Sequence, residues 1–390
     1  MTHPRLPVIG AATDLEIVEP AVTHSPQALH ALARLPDDWK QLLESLGERP
    51  YRAKQILNWI YQQRELDVQK MTNLPAALRE QLKPYVQPLA SVEMVKRASD
   101  GTRKLLLQLD HKTRVECVLI PMVPKTSWDA PFTEMEDDDE PSEKQTRVTL
   151  CISTQFGCAM GCVFCESGRA GLRRGLQAEE IVAQVLIAKG YLEPNEVLTN
   201  LVLMGMGEPL HHYDATAQAL RVLTHPECMG MSLRRITVST VGLLRGIERL
   251  GQDFSGKVGL AISLHAPNDE LRSQIIPINR RYPLSELMNA LRRYPLPKRR
   301  RITIEYTLIA GFNDGFEHAR QLSQLLRTVP VKINLIPMNP VEGSELQASS
   351  SERVADFQDY LARDGYSCFV RTRRGDDVAA ACGQLAFRGI

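Results

Sequence analysis

The run Cys158-Ala159-Met160-Gly161-Cys162-Val163-Phe164-Cys165 places three metal-seeking thiols within eight residues, and no fourth partner lies nearby in sequence. A structural zinc site closes its tetrahedron with a fourth Cys or His at a recognisable spacing, and a cluster that only carries electrons is held by four thiolates. Three cysteines on an iron-sulfur cube leave one iron without a protein ligand, and such an iron can bind and cleave a small molecule. The plainer alternative for the same residues is a zinc loop.

Other polar residues fall just after apolar segments. In Met204-Gly205-Met206-Gly207-Glu208-Pro209 the glycines allow close approach of backbone to a ligand, and Glu208 offers an acceptor to a cation such as an amino group. Ser239 and Thr240, then Ser263, Leu264 and His265, then Asn339 occupy comparable places. Singly, each suits a cap or a turn; together they suit the binding of a nucleoside and a carboxylate.

These residues need a scaffold that gathers them at one end. Apolar strands are predicted near Val148 to Ser153, Leu201 to Met204, Ile236 to Thr240, Val258 to Leu264, Ile302 to Ile309 and Val331 to Ile336, with helical spacing between them, as in Ile181, Val182, Val185 and Leu186. The alternation predicts an α/β fold with a parallel sheet and crossover helices. Six units are too few for a closed eight-stranded barrel, so a partial (β/α)6 barrel is expected, with its mouth at the strand ends where the polar residues fall.

The predicted organisation is a disordered tail over 1–25, a helical accessory domain over 26–95, a β-hairpin extension over 96–121, an acidic insertion over 122–146, the partial barrel over 147–340 and a C-terminal segment over 341–390. In the accessory domain Trp39, Leu42, Leu43 and Leu46, then Ala53, Ile56, Leu57 and Ile60, then Leu74, Leu78 and Leu82 carry helical spacing, with Arg49, Arg52, Lys54, Arg64, Arg79 and Lys83 around them. That composition suits either a nucleic-acid accessory module or a plain packing domain. The hairpin contains Val115-Glu116-Cys117-Val118, with Glu116 inside a strand and Cys117 facing the opposite side.

The chain has 390 residues, 43% hydrophobic and 24% charged, and a net charge of +1. Seven of its acidic residues lie between Glu134 and Glu143; without them 47 basic residues face 39 acidic ones, a balance of +8. Basic groups cluster at Arg173-Arg174, Arg234-Arg235, Arg280-Arg281, Lys298 to Arg301, and Arg371, Arg373 and Arg374, which form either a phosphate-facing surface or solvated faces. No run of about 18 apolar residues predicts a membrane span, so no membrane partner is expected. Eight cysteines, three of them in eight residues, fit a reducing compartment, and a cytoplasmic location is expected.

The C-x3-C-x2-C spacing resembles the signature of radical S-adenosylmethionine (SAM) enzymes. Over about Arg49 to Leu385 the chain resembles the RlmN/Cfr family of radical SAM RNA methyltransferases. The resemblance is carried by Pro50-Tyr51-Arg52-Ala53-Lys54-Gln55-Ile56, the cysteine loop, Met204 to Pro209, Ser239-Thr240, Ser263-Leu264-His265-Ala266, Pro337-Met338-Asn339-Pro340, Arg374-Gly375-Asp376-Asp377 and Ala381-Cys382-Gly383-Gln384-Leu385. It implies that Cys158, Cys162 and Cys165 hold a 4Fe-4S cluster and that Gly207, Glu208, Ser239, Ser263, Leu264, His265 and Asn339 contact SAM. It also implies an RNA substrate, ribosomal or transfer, and an external one-electron reductant; a monomer is expected.

The resemblance further assigns Cys382 as the residue that carries a methyl group, Cys151 as the thiol that releases the product by forming a disulfide with Cys382, and Glu116 as the acceptor of the ring proton. An adenine ring carbon is too weak a nucleophile to take the SAM methyl directly. The thiolate therefore takes it first. Carbon 2 is the expected position, since methylation at carbon 8 marks a narrower branch. The chain departs from the family pattern at Glu166-Ser167-Gly168, where better-known members have a small residue followed by Thr and Gly, and in its acidic insertion and the basic stretch after Lys298. Two other readings remain: a radical SAM enzyme acting on a substrate other than RNA, which has no need of both Cys151 and Cys382, and a non-catalytic RNA-binding metalloprotein. Cys228 and Cys368 are expected to be small buried hydrophobes.

Overall fold

The computed structural model describes residues 29–122, 145–339 and 344–385. The expected tail at 1–25, most of the acidic insertion and Pro340 lie outside the described residues.

The N-terminal helices form because their apolar residues recur on one face. Helix α1 (Pro36–Ser45) starts at a proline, and the Asp38 carboxylate accepts from the Leu35 backbone N–H at 2.8 Å. It buries Trp39, Leu42 and Leu43 against Ala53, Ile56 and Leu57 of α2 (Arg52–Leu57), which runs on into a π-helical turn over Asn58–Gln62. Helix α3 (Ala76–Leu82) adds Leu78 and Leu82. Burying each such side chain contributes roughly 1.5–3 kcal/mol. Several of the surrounding cations have local partners: Arg52 pairs with Glu48, Lys83 with Glu80, and Arg79 donates to the Gln69 carbonyl.

The main sheet has ten strands. Three strands, β1 (Ser91–Arg97), β2 (Arg103–Gln108) and β3 (Arg114–Pro121), run antiparallel to their neighbours and meet β4 (Thr146–Cys151). A separate hairpin pairs β5 (Gln155–Phe156) with β6 (Arg174–Gly175) around the cysteine loop, and α4 (Glu166–Arg169) lies within it. From β4 onward the main sheet is parallel: β7 (Glu196–Leu203), β8 (Ile236–Thr240), β9 (Gly259–Ser263), β10 (Ile302–Leu308), β11 (Val331–Pro337) and β12 (Cys368–Val370) follow in chain order. The crossovers are α5 (Ala178–Ala188), α6 (Tyr213–Thr224), α7 (Leu244–Phe254), the pair α8 (Asp269–Ile275) and α9 (Leu284–Arg293), α10 (Phe316–Leu326) and α11 (Ser351–Arg363). The sheet ends at β1 and β12, which do not pair. It is an open, partial barrel.

All six expected parallel strands are present. Two strands of the main sheet were not legible: β12 extends the parallel set to seven strands, and β1, most of which falls in the span 26–95 predicted as helical, adds a third antiparallel strand to the predicted hairpin. Three half-buried residues in β12 are too short a run to declare a period. In β1 the face alternates weakly, because this edge strand carries Glu93, Lys96 and Arg97 and stays largely exposed, as an unpaired edge requires.

Candidate active site

The cysteine loop leaves the end of β4 and folds over the mouth of the barrel. Cys158 and Cys162 are buried and Cys165 is half-buried. Helix α4 packs directly on this loop: a Cβ on Gly168 would stand 2.9 Å from both the backbone nitrogen and the oxygen of Cys162, so only glycine allows the contact. Burial pushes all three thiols up, and repulsion from neighbouring thiols pushes Cys158 and Cys162 further. A bound cationic metal reverses that balance.

The facing wall comes from the ends of the next strands. Gly207 has φ +107°, and a Cβ there would lie 2.6 Å from the Gln155 side chain, so the turn after β7 requires glycine. Glu208 is buried; its oxygens accept from the backbone N–H groups of Leu210 (3.1 Å) and Val241 (2.9 Å), and burial pushes its carboxyl up to about 7. The hydroxyls of Ser239 and Ser263 stand 3.5 Å apart at the ends of β8 and β9. His265 is buried with its ring edge-on to Phe164, accepts from the Thr307 N–H at 2.9 Å, and is pushed down to about 3 by burial.

These residues line one cavity of about 950 Å³, including its open mouth. Cys158, Cys162, Cys165, Gly207, Glu208, Ser239, Ser263, His265, Asn339 and Cys382 all border it. Leu264 does not: its side chain is fully buried, and its backbone carbonyl accepts from Arg272. The donor set on one side is three thiols and on the other a carboxylate, hydroxyls and an amide. Together with the room between them, this fits a thiolate-held cluster with a polar, nucleoside-sized ligand.

Cys382 also borders a second cavity of about 910 Å³, lined by Ile120, Thr149, Val202, Arg371, Arg373 and Arg374 among others. Asn339 donates to the Cys382 carbonyl at 2.9 Å, while its own buried oxygen has no hydrogen-bond partner among the described residues. Arg371, in a basic cluster that the sequence places either on a phosphate-facing surface or on a solvated face, points inward instead, 3.6 Å from the buried carboxylate of Glu305, and borders both cavities. The charges of Arg371 and Cys382 act on the Cys151 thiol, and those of Cys151 and Cys382 act on the Arg371 guanidinium, so the three side chains are neighbours.

Cys151 and Glu116 border neither cavity. Burial pushes the Cys151 thiol up to about 12. The Glu116 carboxylate is shielded within the sheet, 2.9 Å from the Lys104 ammonium, which also donates to the Ala379 carbonyl at 2.9 Å. All eight cysteines are free, so the expected disulfide is not formed in this structure. Sequence reasoning missed the inward turn of Arg371, the Glu305 carboxylate that receives it, and Arg272. The last is buried, and its guanidinium donates to the carbonyls of Val241, Ser263 and Leu264, tying the loops after β8 and β9 together. The signal for Glu305 was a single carboxylate in an apolar strand; Arg272, on an ordinary amphipathic helix, gave none.

Residues 36–87 match the family model of the ribosomal RNA large subunit methyltransferase N-terminal domain, and residues 152–322 match that of the radical SAM superfamily. The chain is 56% identical over 379 residues to the dual-specificity RNA methyltransferase RlmN of Sorangium cellulosum, covering 93% of this chain and 96% of that protein. It is 44% identical to the RlmN of Marinobacter nauticus, covering 88% and 89%. A crystal structure of a radical SAM methyltransferase from Sphaerobacter thermophilus superposes with a TM-score of 0.82 at 40% identity, over 92% of this chain and 99% of that one. The chain belongs to the RlmN family of radical SAM RNA methyltransferases.

Proposed function

We propose that this enzyme methylates carbon 2 of an adenine in ribosomal or transfer RNA through a methyl group carried on Cys382. The observation that carries the reading is the place of Cys382, whose loop borders both cavities at once. In this reading the cavity bordered by Cys158, Cys162 and Cys165 takes the cluster and SAM, which supply the methyl group and the deoxyadenosyl radical that activates it. The second cavity takes the target nucleotide, with Arg373 and Arg374 near its phosphates.

The residues then have distinct tasks. Gly207 would let the backbone approach SAM, Glu208 would accept from its amino group, and Ser239, Ser263, His265 and Asn339 would supply polar contacts, with Leu264 holding the turn beneath them through its bonds to Glu305 and Arg272. Cys382, as thiolate, would take the methyl of one SAM and keep it as a thioether, with S-adenosylhomocysteine as the leaving group. After the methyl carbon has joined the ring, Glu116 would take the displaced ring proton while the ring radical gives up one electron, for which the cluster would be the acceptor. The Cys151 sulfur would then attack the Cys382 sulfur; the bond from Cys382 sulfur to the methylene carbon breaks with its electron pair on carbon, which takes up a proton, and the new disulfide leaves the methylated base free. An external one-electron donor and an external thiol restore the resting enzyme. Comparing modified nucleosides in ribosomal and transfer RNA from cells with and without this chain tests the target. Loss of 2-methyladenosine without the chain is the expected result; an unchanged profile sinks the reading.

A further inference from the structure

The segment bearing Cys382 is gripped at both ends. At its start, the Ser99 N–H donates to Asp377 at 2.9 Å, the Gly375 N–H donates to Asp100 at 3.1 Å, and Lys104 reaches the Ala379 carbonyl. At its end, the grip comes from α4, the helix that follows the last cysteine of the loop. There the Glu166 N–H donates to the Gly383 carbonyl at 2.9 Å, and the Ser167 hydroxyl donates to the Leu385 carbonyl at 2.5 Å. Between the two grips Asn339 holds the Cys382 carbonyl at 2.9 Å, and the Cys382 side chain is exposed.

Ser167 is the side chain that ties the cysteine loop to this segment. It is 2% exposed, and besides the Leu385 carbonyl its hydroxyl meets the Cys165 thiol, the last cysteine of the loop. Neither partner has slack. Gly168 seats α4 on Cys162 with no room for a Cβ, and a Cβ on Gly383 would stand 3.1 Å from the Phe164 carbonyl at a φ of +84°. A rigid path therefore runs from Cys162 through α4 and Ser167 to Leu385, three residues past Cys382.

We propose that Ser167 is a positioning residue for the methyl transfer: its hydroxyl, through the Leu385 carbonyl, fixes Cys382 over the cavity bordered by Cys158, Cys162 and Cys165. The role rests on the reading of Cys382 as the methyl carrier. An ordinary buried hydrogen bond would stabilise the fold and do no more. A positioning bond, when cut, lets the reactive species formed in the cavity miss the sulfur-bound methyl and be lost.

The test compares Ser167→Ala with Ser167→Thr, which keeps the hydroxyl. Before SAM is added, amide hydrogen exchange in the peptide from Ala381 to Leu385 is expected to quicken roughly five- to tenfold in Ser167→Ala, the worth of one net hydrogen bond, and to stay at the wild-type rate in Ser167→Thr. In turnover, deoxyadenosine formed per methylated adenine is expected to rise by a similar factor in Ser167→Ala at unchanged iron content, and to return in Ser167→Thr. Unchanged exchange in Ser167→Ala overturns the proposal, and so does faster exchange with an unchanged ratio. If wild-type Cys382 carries no methyl group, the carrier reading falls and this role with it; the exchange arm separates that failure from a missing anchor.

Discussion

Glu116 and Cys151 look out from the same face of the sheet. Cys151 stands opposite Val118 across the antiparallel β3–β4 pair, and Glu116 is two residues along from Val118. Directly opposed residues share a face, as do residues two apart. Cys117, one residue on, faces the other way and is fully buried. Lys104, opposite Val118 on β2, joins the same face, where it links Glu116 to the Cys382 segment at Ala379.

Glu116→Gln is therefore expected to halt the reaction after the methyl carbon has joined the ring. The shape is kept, and the acceptor of the proton is lost. Product formation should fall by about 100-fold or more, the usual contribution of a general base. A denaturing gel with labelled RNA should show protein joined to RNA. Wild-type product from this variant assigns the proton to another group.

The two thiols are expected to fail in different ways. Cys382→Ala should lose the 14-dalton adduct that a methyl group adds to its peptide, and form no link to RNA. Cys151→Ala should keep the adduct on Cys382 and accumulate the linked species, because Cys382 then has no neighbouring thiol to release it. Mass spectrometry of the tryptic peptides distinguishes the two. A Cys151→Ala enzyme that turns over normally removes Cys151 from the reaction.

Gly168→Ala is expected to lower the iron bound per chain after anaerobic reconstitution. The added carbon meets Cys162 backbone at 2.9 Å, and backbone cannot swing aside as a side-chain tip can. Overpacking of this kind costs roughly 1–3 kcal/mol, and here the strain falls on a cysteine of the loop itself. Iron and sulfide analysis checks it; full iron content in the variant shows that the loop relaxes without harm.

Arg103 and Glu196 anchor the antiparallel strands to the barrel. The guanidinium reaches both carboxylate oxygens at 2.8 and 2.7 Å, with the two side chains only 1% and 7% exposed. Removing Arg103 strands the buried Glu196 carboxylate, so Arg103→Met should cost about 3–5 kcal/mol, whereas Glu196→Gln should cost less because Arg103 keeps the partly exposed Glu193 at 3.5 Å and the Tyr191 carbonyl. The double variant Arg103→Met/Glu196→Met should cost less than the sum of the single changes, since no charge is left unpaired. Urea unfolding measures all three, and strict additivity would show that the pair is not coupled.

How much of this was legible follows from how each feature is encoded. The parallel strands are runs of buried apolar residues, and the cysteine loop and Gly207-Glu208 are local in sequence, so both could be read. What could not be read depends on contacts between distant segments. The inward turn of Arg371 exists only because β12 lies beside β11 and brings it to Glu305, and the arginines around it are ordinary surface groups in sequence. Ser167, a departure from the family pattern, has a structural place only once the Cys382 segment folds back onto α4. Leu264 belongs to the same motif as Ser263 and His265, but just past the end of β9 its side chain turns into the core, which only the fold shows.

His30 sets the last expectation, an acid-sensitive hold on the N-terminal unit. Its Nδ1 accepts from the Leu32 N–H at 3.1 Å, and its Nε2 lies 2.9 Å from the Gln87 carbonyl. Only the neutral ring with its proton on Nε2 satisfies both contacts, and burial, with the nearby Arg34 charge, pushes the ring from 6.5 down to about 4. The unfolded chain therefore takes up a proton at a higher pH than the folded one. Stability is full above about 6.5 and is lost as pH falls toward about 4, by at most about 1.4 kcal/mol per pH unit, less because the ring is partly exposed. The hold matters beyond the turn, because the Ala31 N–H donates to the Tyr85 carbonyl and Gln218 of α6 donates to the Ala33 carbonyl. His30→Asn keeps an acceptor for the Leu32 N–H and removes the titration. Thermal midpoints between pH 7 and pH 5 should fall more steeply for wild type than for His30→Asn; parallel curves would assign the acid sensitivity to other groups.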